Sequence, residues 1–467
     1  MNFKTILQSF RSKDMLRRIA IIFGIIVAYR LLAHIPVPLG DAATFKEAIG
    51  NLVNSTDFGG FLNLISGGGL GNLSIILVGL APFITASIVM QLLTKAIPRL
   101  EELHKDGESG RRKINQWTRM FTVPLAILQS VAMVFILYNQ VIATNTAVAV
   151  NPSMMEWVLS ITAMTAGSVL LMWMGELITE QGIGNGISMV IFASIISDFP
   201  SMLAGIGASL ANTSAGTLSL FGWLELPVNP SALFATLAMG VGVLVVLYFL
   251  VKINEAQRII TINYAKRVHG NSAYGGIKSI MPIKLIAAGV VPVIFAVAFL
   301  SLPAFVGQIM LSADSSNQLA GNLVSWFSAP SAQNFAGLSP EWFIYPVFYF
   351  LLVVGFTYFY TSIIFNTKEI AENLQKQGGF IEGVRPGVAT EKYFGRTVNR
   401  LNLFGALALG SIAMLPYIVD YIFIIASGAP IGLSLSGTGL LIVVTVALES
   451  LRQLNSRALM VTYDEYK

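Results

Sequence analysis

Few side chains in this sequence have the types and spacing that catalysis or metal binding requires. The chain contains no cysteine and only three histidines, His34, His104 and His269, which lie far apart. The lack of cysteine excludes disulfides, thiolate metal sites, iron–sulfur ligation and a cysteine nucleophile. The histidines match no metal-ligand spacing such as HExxH, and the chain has no GxxxxGK[ST] phosphate-binding loop. We therefore expect no enzyme activity, metal or cofactor, and any energy source must lie outside this chain.

The composition indicates a membrane protein. Of the 467 residues, 55% are hydrophobic and 11% are charged, whereas about 25% of the residues in soluble domains are charged. About 20 apolar residues are needed to cross the hydrocarbon core of a bilayer. Such runs predict ten transmembrane helices, at about residues 19–37, 74–93, 119–139, 155–176, 185–207, 232–251, 285–307, 342–366, 401–419 and 434–451. A soluble multidomain enzyme is excluded.

The positions of the basic residues predict the orientation in the membrane. Lysine and arginine near the ends of spans stay in the cytoplasm. With the N-terminus inside, all of the 29 Lys and Arg residues except Arg30 and Lys46 fall in cytoplasmic segments. Both termini are therefore predicted to be cytoplasmic. The first run is too long for the core of a signal peptide and has no A-x-A-like cleavage site, so we interpret it as an uncleaved helix.

Ten spans divide into two sets of five, residues 1–206 and 232–467, joined by an external hinge at 207–231. An odd number of spans reverses the second set, so the halves are inverted repeats that form a clamshell around a central pathway. We find no strong residue-level identity between them, and the repeat rests on the number of spans. Two long basic segments, at about 252–284 and 367–400, either follow from the insertion rule or form a docking surface for an acidic or nucleic-acid-rich partner.

A glycine-rich segment precedes the second span. It reads FLNLISGGGLGNL, covers residues 61–73 and is too short to cross the membrane. Because glycine disfavours a continuous helix, the segment predicts a re-entrant element that faces protein or a water-filled cavity, with an ordinary external loop as the alternative.

The spans lack the charged groups that transport of small ions requires. No acidic residue lies in the middle of a predicted span, where ion-coupled transporters bind their coupling ion. The sequence therefore favours a passive conduit. A small-solute transporter built from inverted repeats and an assembly scaffold without a conduit are the alternatives.

Several motifs resemble those of the SecY family, the central subunits of bacterial protein-translocation channels. The similarity runs in the same order from about residue 10 to 455. It includes GESGRRKINQWTR at 107–119, LMWMGELITEQGIGNGIS at 171–188, AGVVPVIFA at 288–296 and IFNTKEIAENLQKQGGFIEGVRPG at 364–387. The resemblance implies an all-α membrane protein with ten transmembrane helices in two inverted five-helix halves around a central pore. This fold agrees with the ten spans inferred above.

The resemblance also implies two elements that close the pore. The first is a constriction ring of aliphatic side chains, Leu80, Ile84, Ile187, Ile191, Ile294 and Ile442. The second is a plug at residues 61–73, which includes Leu62, Ile65, Gly67, Gly68, Gly69 and Leu70. The family pattern often has isoleucine throughout the ring, so Leu80 is a departure from it.

The resemblance further implies a lateral gate and a set of partners. Gln91 and Asn185 match polar positions near the gate, where interhelical hydrogen bonds could stabilise the closed state, and Lys266, Arg267 and Arg385 match positions that dock a motor or a ribosome. The implied partners are SecE, SecG, the SecA motor ATPase, the ribosome, secretory polypeptides and membrane lipids. The expected location is the bacterial inner membrane, and the expected function is passage of unfolded polypeptides across it and of apolar segments sideways into it.

Overall fold

The computed structural model describes residues 13–38, 73–144, 153–211, 218–220, 224–226, 229–264, 267–269, 272–274, 278–314, 316–328, 340–427 and 433–465. Within these residues the helices are α1 (Lys13–Leu32), α2 (Ala81–Ala96), α3 (Pro98–Lys105), α4 (Glu108–Thr144), α5 (Met154–Gln181), α6 (Gly186–Ala211), α7 (Pro230–Glu255), α8 (Val291–Ala313), α9 (Gln318–Phe327), α10 (Ile344–Ile364), α11 (Thr367–Lys376), α12 (Val388–Ser427) and α13 (Leu433–Glu465). The strands are β1 (Leu218–Leu220), β2 (Leu224–Leu226), β3 (Gln257–Tyr264), β4 (Arg267–His269), β5 (Ser272–Tyr274), β6 (Lys278–Lys284) and β7 (Gly379–Phe380).

The helices follow the ten predicted spans in order. Among the described residues, six helices are long and apolar enough to cross a membrane by themselves: α4, α5, α7, α8, α10 and α12. The pair α2 and α3 is a seventh candidate, with a bend of 100° between the two helices. The remaining predicted spans overlap α1, α6 and α13.

Two of the spans begin with a turn where the sequence predicts helix. We name residues 75–80 the first lead-in turn and residues 285–290 the second. The helices α2 and α8 begin directly after them, and each has a proline in its first turn, Pro82 or Pro292. Proline is favoured at this position because the first amides of a helix have no intrahelical acceptor.

The two long segments that the sequence leaves as loops combine into one folded unit. The strands lie in the order β6-β3-β7, and both pairs are antiparallel. Ile260 and Ile262 of β3 pack with Leu374 of α11 and Phe394 of α12 in a buried cluster. Much of segment 367–400 is helical; it contributes the edge strand β7 and packs its helices against the two strands of the other segment.

The largest apolar core extends through both halves of the chain. It contains buried side chains from α1, α2, α5, α6, α7, α8, α10, α12 and α13. Polar contacts inside the bundle tie neighbouring helices together: the hydroxyls of Tyr29 and Ser194 lie 2.5 Å apart, and Thr361 donates a hydrogen bond to Asn402 at 2.9 Å. The two halves therefore share one core.

Candidate functional site

The six side chains of the predicted ring all belong to this core or pack against it. Leu80, Ile84, Ile191 and Ile294 are each at most 9% exposed. The two remaining side chains, Ile187 and Ile442, are partly buried and pack against the same cluster.

Four of these side chains occur where helices begin. Leu80 is the N-cap of α2, and Ile84 follows within the first turn. Ile187 lies at the start of α6, and Ile294 lies in the first turn of α8. Helix starts from both halves therefore contribute side chains to the same core.

A tight turn fixes where α6 begins. The hydroxyl of Thr179 accepts a hydrogen bond from the amide of Gly186 at 2.9 Å. The side-chain oxygen of Asn185 accepts bonds from the amides of Ile187 and Ser188 at 3.1 and 3.4 Å. A side chain at position 186 would overlap the backbone of Gly175. The motif at 171–188 thus aligns α6 on α5 and sets the position of Ile187.

The chemistry open to this cluster follows from its side chains. All six are aliphatic, so they can neither transfer protons nor bind a metal or an anion. A close-packed apolar constriction excludes water and ions by dewetting, and it can widen around an extended chain without breaking hydrogen bonds. Among the described residues, no group of three His, Cys, Asp or Glu side chains could hold a metal ion.

The polar residues assigned to the gate form local hydrogen bonds. The amide nitrogen of Gln91 donates to Ser87, one turn earlier in α2, at 3.1 Å. Asn185 caps its own helix, as described above. For both side chains, the hydrogen bonds found within the described residues do not cross between helices. The buried side-chain oxygen of Gln91 has no hydrogen-bond partner within the part of the chain that the structure describes.

The helices on either side of the predicted gate are in contact. α8 packs against both α2 and α4, and it also packs against α10. Aromatic pairs join α8 to α10: the ring centres of Phe295 and Phe356 are 6.0 Å apart, and those of Phe299 and Phe356 are 6.1 Å apart. The helices that border the predicted gate are therefore packed against one another.

The sheet unit presents basic side chains. Arg385 is exposed in the turn between β7 and α12, and its carbonyl accepts a hydrogen bond from Thr390 at 2.9 Å. Arg267 begins β4, its side chain is not among those described, and Lys266 lies outside the described residues. Burial lowers the pKa of Lys284 at the end of β6, and the charge of Arg452 lowers it further while Glu449 raises it.

The C-terminal helix is tied to the base of this sheet. The guanidinium of Arg452 in α13 donates to both the side-chain and backbone oxygens of Asn254 in α7, each at 2.9 Å. The sequence analysis missed this link, because nothing in the local sequence pairs residues so far apart. It also did not single out Asp420, a buried carboxylate in α12 that is 3% exposed.

The predicted plug cannot be placed in the same way. Its residues Leu62, Ile65, Gly67, Gly68, Gly69 and Leu70 lie outside the described residues. The chain is described again from Leu73, whose carbonyl accepts a hydrogen bond from the amide of Val37 at 2.7 Å. The downstream end of the segment is thus fixed to the residues that follow α1.

Comparison with known proteins identifies the family. The family model named SecY matches residues 74–451. The protein translocase subunit SecY of Streptomyces galbus is 37% identical over 463 residues, which cover 98% of this chain and 98% of that protein. The corresponding subunit of Corynebacterium glutamicum is 38% identical over 468 residues, again with 98% of each chain covered.

Solved structures show the same fold. A structure of a protein-conducting channel matches with a TM-score of 0.62 at 20% identity and covers 93% of this chain and 90% of the other. A structure concerning the plug domain of the SecY protein matches with a TM-score of 0.59 at 20% identity over 92% of this chain and 89% of the other. The family model, the relatives and the fold agree, and the chain belongs to the SecY family.

Proposed function

We propose that this chain forms a passive protein-conducting channel, through which unfolded secretory polypeptides cross the membrane and hydrophobic segments pass sideways into the bilayer. The observation that carries the proposal is that one core contains six aliphatic side chains of the predicted ring, contributed by both halves. The names of the relatives, which are protein translocase subunits, support it. The chain carries out no bond chemistry, so an external motor or the ribosome drives the movement.

In this proposal Leu80, Ile84, Ile187, Ile191, Ile294 and Ile442 form the constriction. The plug is residues 61–73, and it closes the path on the side opposite to the basic sheet. The glycines in the segment suit a plug that must leave and return, because glycine adopts several backbone conformations at little steric cost. The attachment of Leu73 to Val37 supplies a fixed downstream end for that movement.

The proposed lateral gate opens between α2 and α4 on one side and α8 and α10 on the other. The aromatic contacts between α8 and α10 support their movement as a pair. In the gate as proposed, Gln91 and Asn185 act through hydrogen bonds within their own helices. The buried side-chain oxygen of Gln91, which has no partner among the described residues, becomes accessible to a polar group of a passing segment when the gate opens.

The proposed docking surface is the sheet unit, with Lys266, Arg267 and Arg385. Its partners are the SecA motor and the ribosome, and SecE and SecG complete the membrane complex. One similar fold comes from a canine ribosome–channel complex, with a TM-score of 0.58 at 18% identity over 93% of this chain and 90% of the other. Arginine suits such a surface because it pairs bidentately with carboxylate or phosphate.

A charge reversal tests the docking surface. Arg385→Glu should abolish SecA-driven export while the protein still inserts and folds, because the contact with an acidic partner becomes repulsive. Arg112→Glu makes the same charge change at an exposed site on α4 and should leave export nearly unchanged. Unchanged export in Arg385→Glu, or equal loss in both variants, would reject this role of Arg385.

The protein is a multi-pass membrane protein. We place it in the bacterial inner membrane with both termini in the cytoplasm, because the basic residues collect on that side under this orientation. The proposed division is an N-terminal half at 1–206, an external hinge at 207–231 and a C-terminal half at 232–467. Its long cytoplasmic segments are those at about 252–284 and 367–400.

Ion conductance tests the channel itself. The protein is reconstituted with a SecE-type partner in a planar bilayer, with and without residues 61–73, and bilayers that contain the partner alone serve as the control. Deletion should raise the resting conductance, because the constriction loses its plug. If neither form conducts and neither supports translocation with SecA and ATP, the channel is rejected in favour of the transporter or the scaffold.

A further inference from the structure

The two lead-in turns end in the same backbone conformation. From the last two residues of the first turn into α2 the sequence is GLAPFI, at 79–84, and from the last two residues of the second turn into α8 it is GVVPVI, at 289–294. The φ angles of the two glycines are 62° and 63°, in the left-handed region that favours glycine. The residues that follow, Leu80 and Val290, are the N-caps of α2 and α8, with φ angles of −88° and −87°.

The matched turns place two constriction residues in the same way. The amide of Ile84 donates to the carbonyl of Leu80 at 3.0 Å, and the amide of Ile294 donates to the carbonyl of Val290 at 3.3 Å. The two halves therefore share a pattern at the level of residues, although their sequences show no strong identity. The pattern is short, and in the sequence it is hidden within long apolar runs.

A glycine on a neighbouring helix supports each turn at its first residue. A side chain at Gly167 of α5 would overlap the carbonyl oxygen of Ile75 and lie 2.8 Å from its carbonyl carbon. A side chain at Gly405 of α12 would overlap the carbonyl oxygen of Leu285 and lie 3.2 Å from its carbonyl carbon. Both contacts are made with backbone atoms, so neither can be relieved by turning a flexible side chain.

We propose that Gly167 and Gly405 are positioning residues, which fix Ile84 and Ile294 in the constriction by letting each lead-in turn lie directly on its supporting helix. This inference rests on the proposed function, because it assigns both isoleucines to the constriction. The turn and the first helical turn after it are joined by hydrogen bonds, and close-packed interiors transmit displacement. A methyl group at either glycine therefore moves the isoleucine that follows the affected turn.

Thiol labelling measures that movement. The chain has no cysteine, so Ile84→Cys and Ile294→Cys each introduce a single reactive thiol. The protein is reconstituted with its SecE-type partner and treated with a membrane-impermeant maleimide. We expect Gly167→Ala to speed labelling at position 84 about fivefold and to leave position 294 unchanged, because overpacking disfavours the closed arrangement locally. Gly405→Ala should speed labelling at position 294 about fivefold and leave position 84 unchanged.

The control is Gly355→Ala in α10, where an added side chain would meet nothing within 4 Å, and it should change neither rate. Unchanged labelling in both test variants overturns the proposal. Equal acceleration at both positions also overturns it, because that result indicates that the whole bundle has loosened.

A second variant is available if the alanine variants fail to accumulate. Ser168→Ala tests the first turn without adding volume, because it removes a hydrogen bond of 2.8 Å to the carbonyl of Gly79. It should also speed labelling at position 84, and an unchanged rate would overturn the proposal.

A second measurement separates this inference from the proposed function. A secretory polypeptide with one cysteine is arrested during transport and tested for disulfide formation with the two introduced thiols. Disulfides at both positions, combined with unchanged labelling in the glycine variants, reject the positioning role and leave the channel. Absence of a disulfide at either position rejects the proposed constriction.

Discussion

The two lead-in turns end in the same backbone conformation but have different surroundings. The first is enclosed by uncharged groups: the hydroxyl of Ser168 donates to Gly79, and a β-bridge joins Ser74, just before the turn, to Pro36. The second is continuous with the basic sheet, since Lys284 ends β6 and the amide of Leu285 donates to Ala256 at 2.9 Å.

In the proposed channel, this difference gives one local structure two tasks. The first turn connects the proposed constriction with the proposed plug, and the second connects it with the proposed docking surface. On this proposal, movement of the plug and docking of a partner act on the same six side chains through separate turns. The variants below act on one turn at a time, and they are ordered from the largest expected effect to the smallest.

Truncation of a buried side chain in each turn should have the largest effect. Leu77 of the first turn is 0% exposed and Ile286 of the second is 8% exposed. Leu77→Ala should lower the free energy of unfolding by about 4 kcal/mol and Ile286→Ala by about 2 to 3 kcal/mol, because the deeper site leaves the larger cavity. Chemical denaturation in mild detergent measures both values. A larger loss for Ile286→Ala would show that the first turn is not the more tightly enclosed.

Removal of one hydrogen-bonding side chain near each lead-in turn should have a smaller effect. Arg452→Met removes two charge-assisted hydrogen bonds near the second turn and should cost about 2 kcal/mol, whereas Ser168→Ala removes one neutral bond at the first turn and should cost about 1 kcal/mol. Hydrogen exchange of the backbone amides shows which turn each substitution loosens. We expect faster exchange at 285–290 in the former variant and at 75–80 in the latter. If either variant speeds exchange in both turns, the two turns are not held independently by their own hydrogen bonds.

The smallest effect is a dependence on pH at the second turn. The pKa of Lys284 is lowered from 10.5 by burial and by Arg452. The folded protein then binds this proton more weakly than the unfolded chain, so stability increases as the pH rises through the folded pKa towards 10.5. The gain should be below about 0.5 kcal/mol because the side chain is partly exposed.

Lys284→Gln should abolish this part of the pH dependence, which is measured as the difference between the two proteins across the alkaline range. The first turn, from Ile75 to Leu80, contains no titratable side chain. An identical pH profile in both proteins would show that burial at Lys284 does not couple to folding.

Much of the fold can be predicted from the sequence because membrane spans are long and apolar. The pattern places a helix near each of the ten predicted positions, and it does so without any knowledge of packing. It fails at residues 75–80 and 285–290, where apolar side chains fill a turn instead of a helix. Hydropathy cannot distinguish a buried turn from a buried helix, because both need apolar side chains.

The site is less predictable than the fold. The ring residues follow from resemblance to the family, since isoleucine and leucine at helical spacing occur in every apolar helix. The roles of Gly167 and Gly405 depend on contacts between distant backbone segments, and the link from Arg452 to Asn254 spans two helices. For Asn185 the local sequence is more informative, because asparagine directly before a helix is a common N-cap.

The three-stranded sheet also has a mechanical consequence. Its strands β3 and β6 leave the membrane domain through α7 and α8, and β7 leads through a short turn into α12. A force applied at Arg385 is therefore shared among three helices. Because these helices are joined through paired strands, we expect a pull or a twist at the surface to move their ends together. The sheet would then transmit the movement of a bound partner to the C-terminal half as a unit.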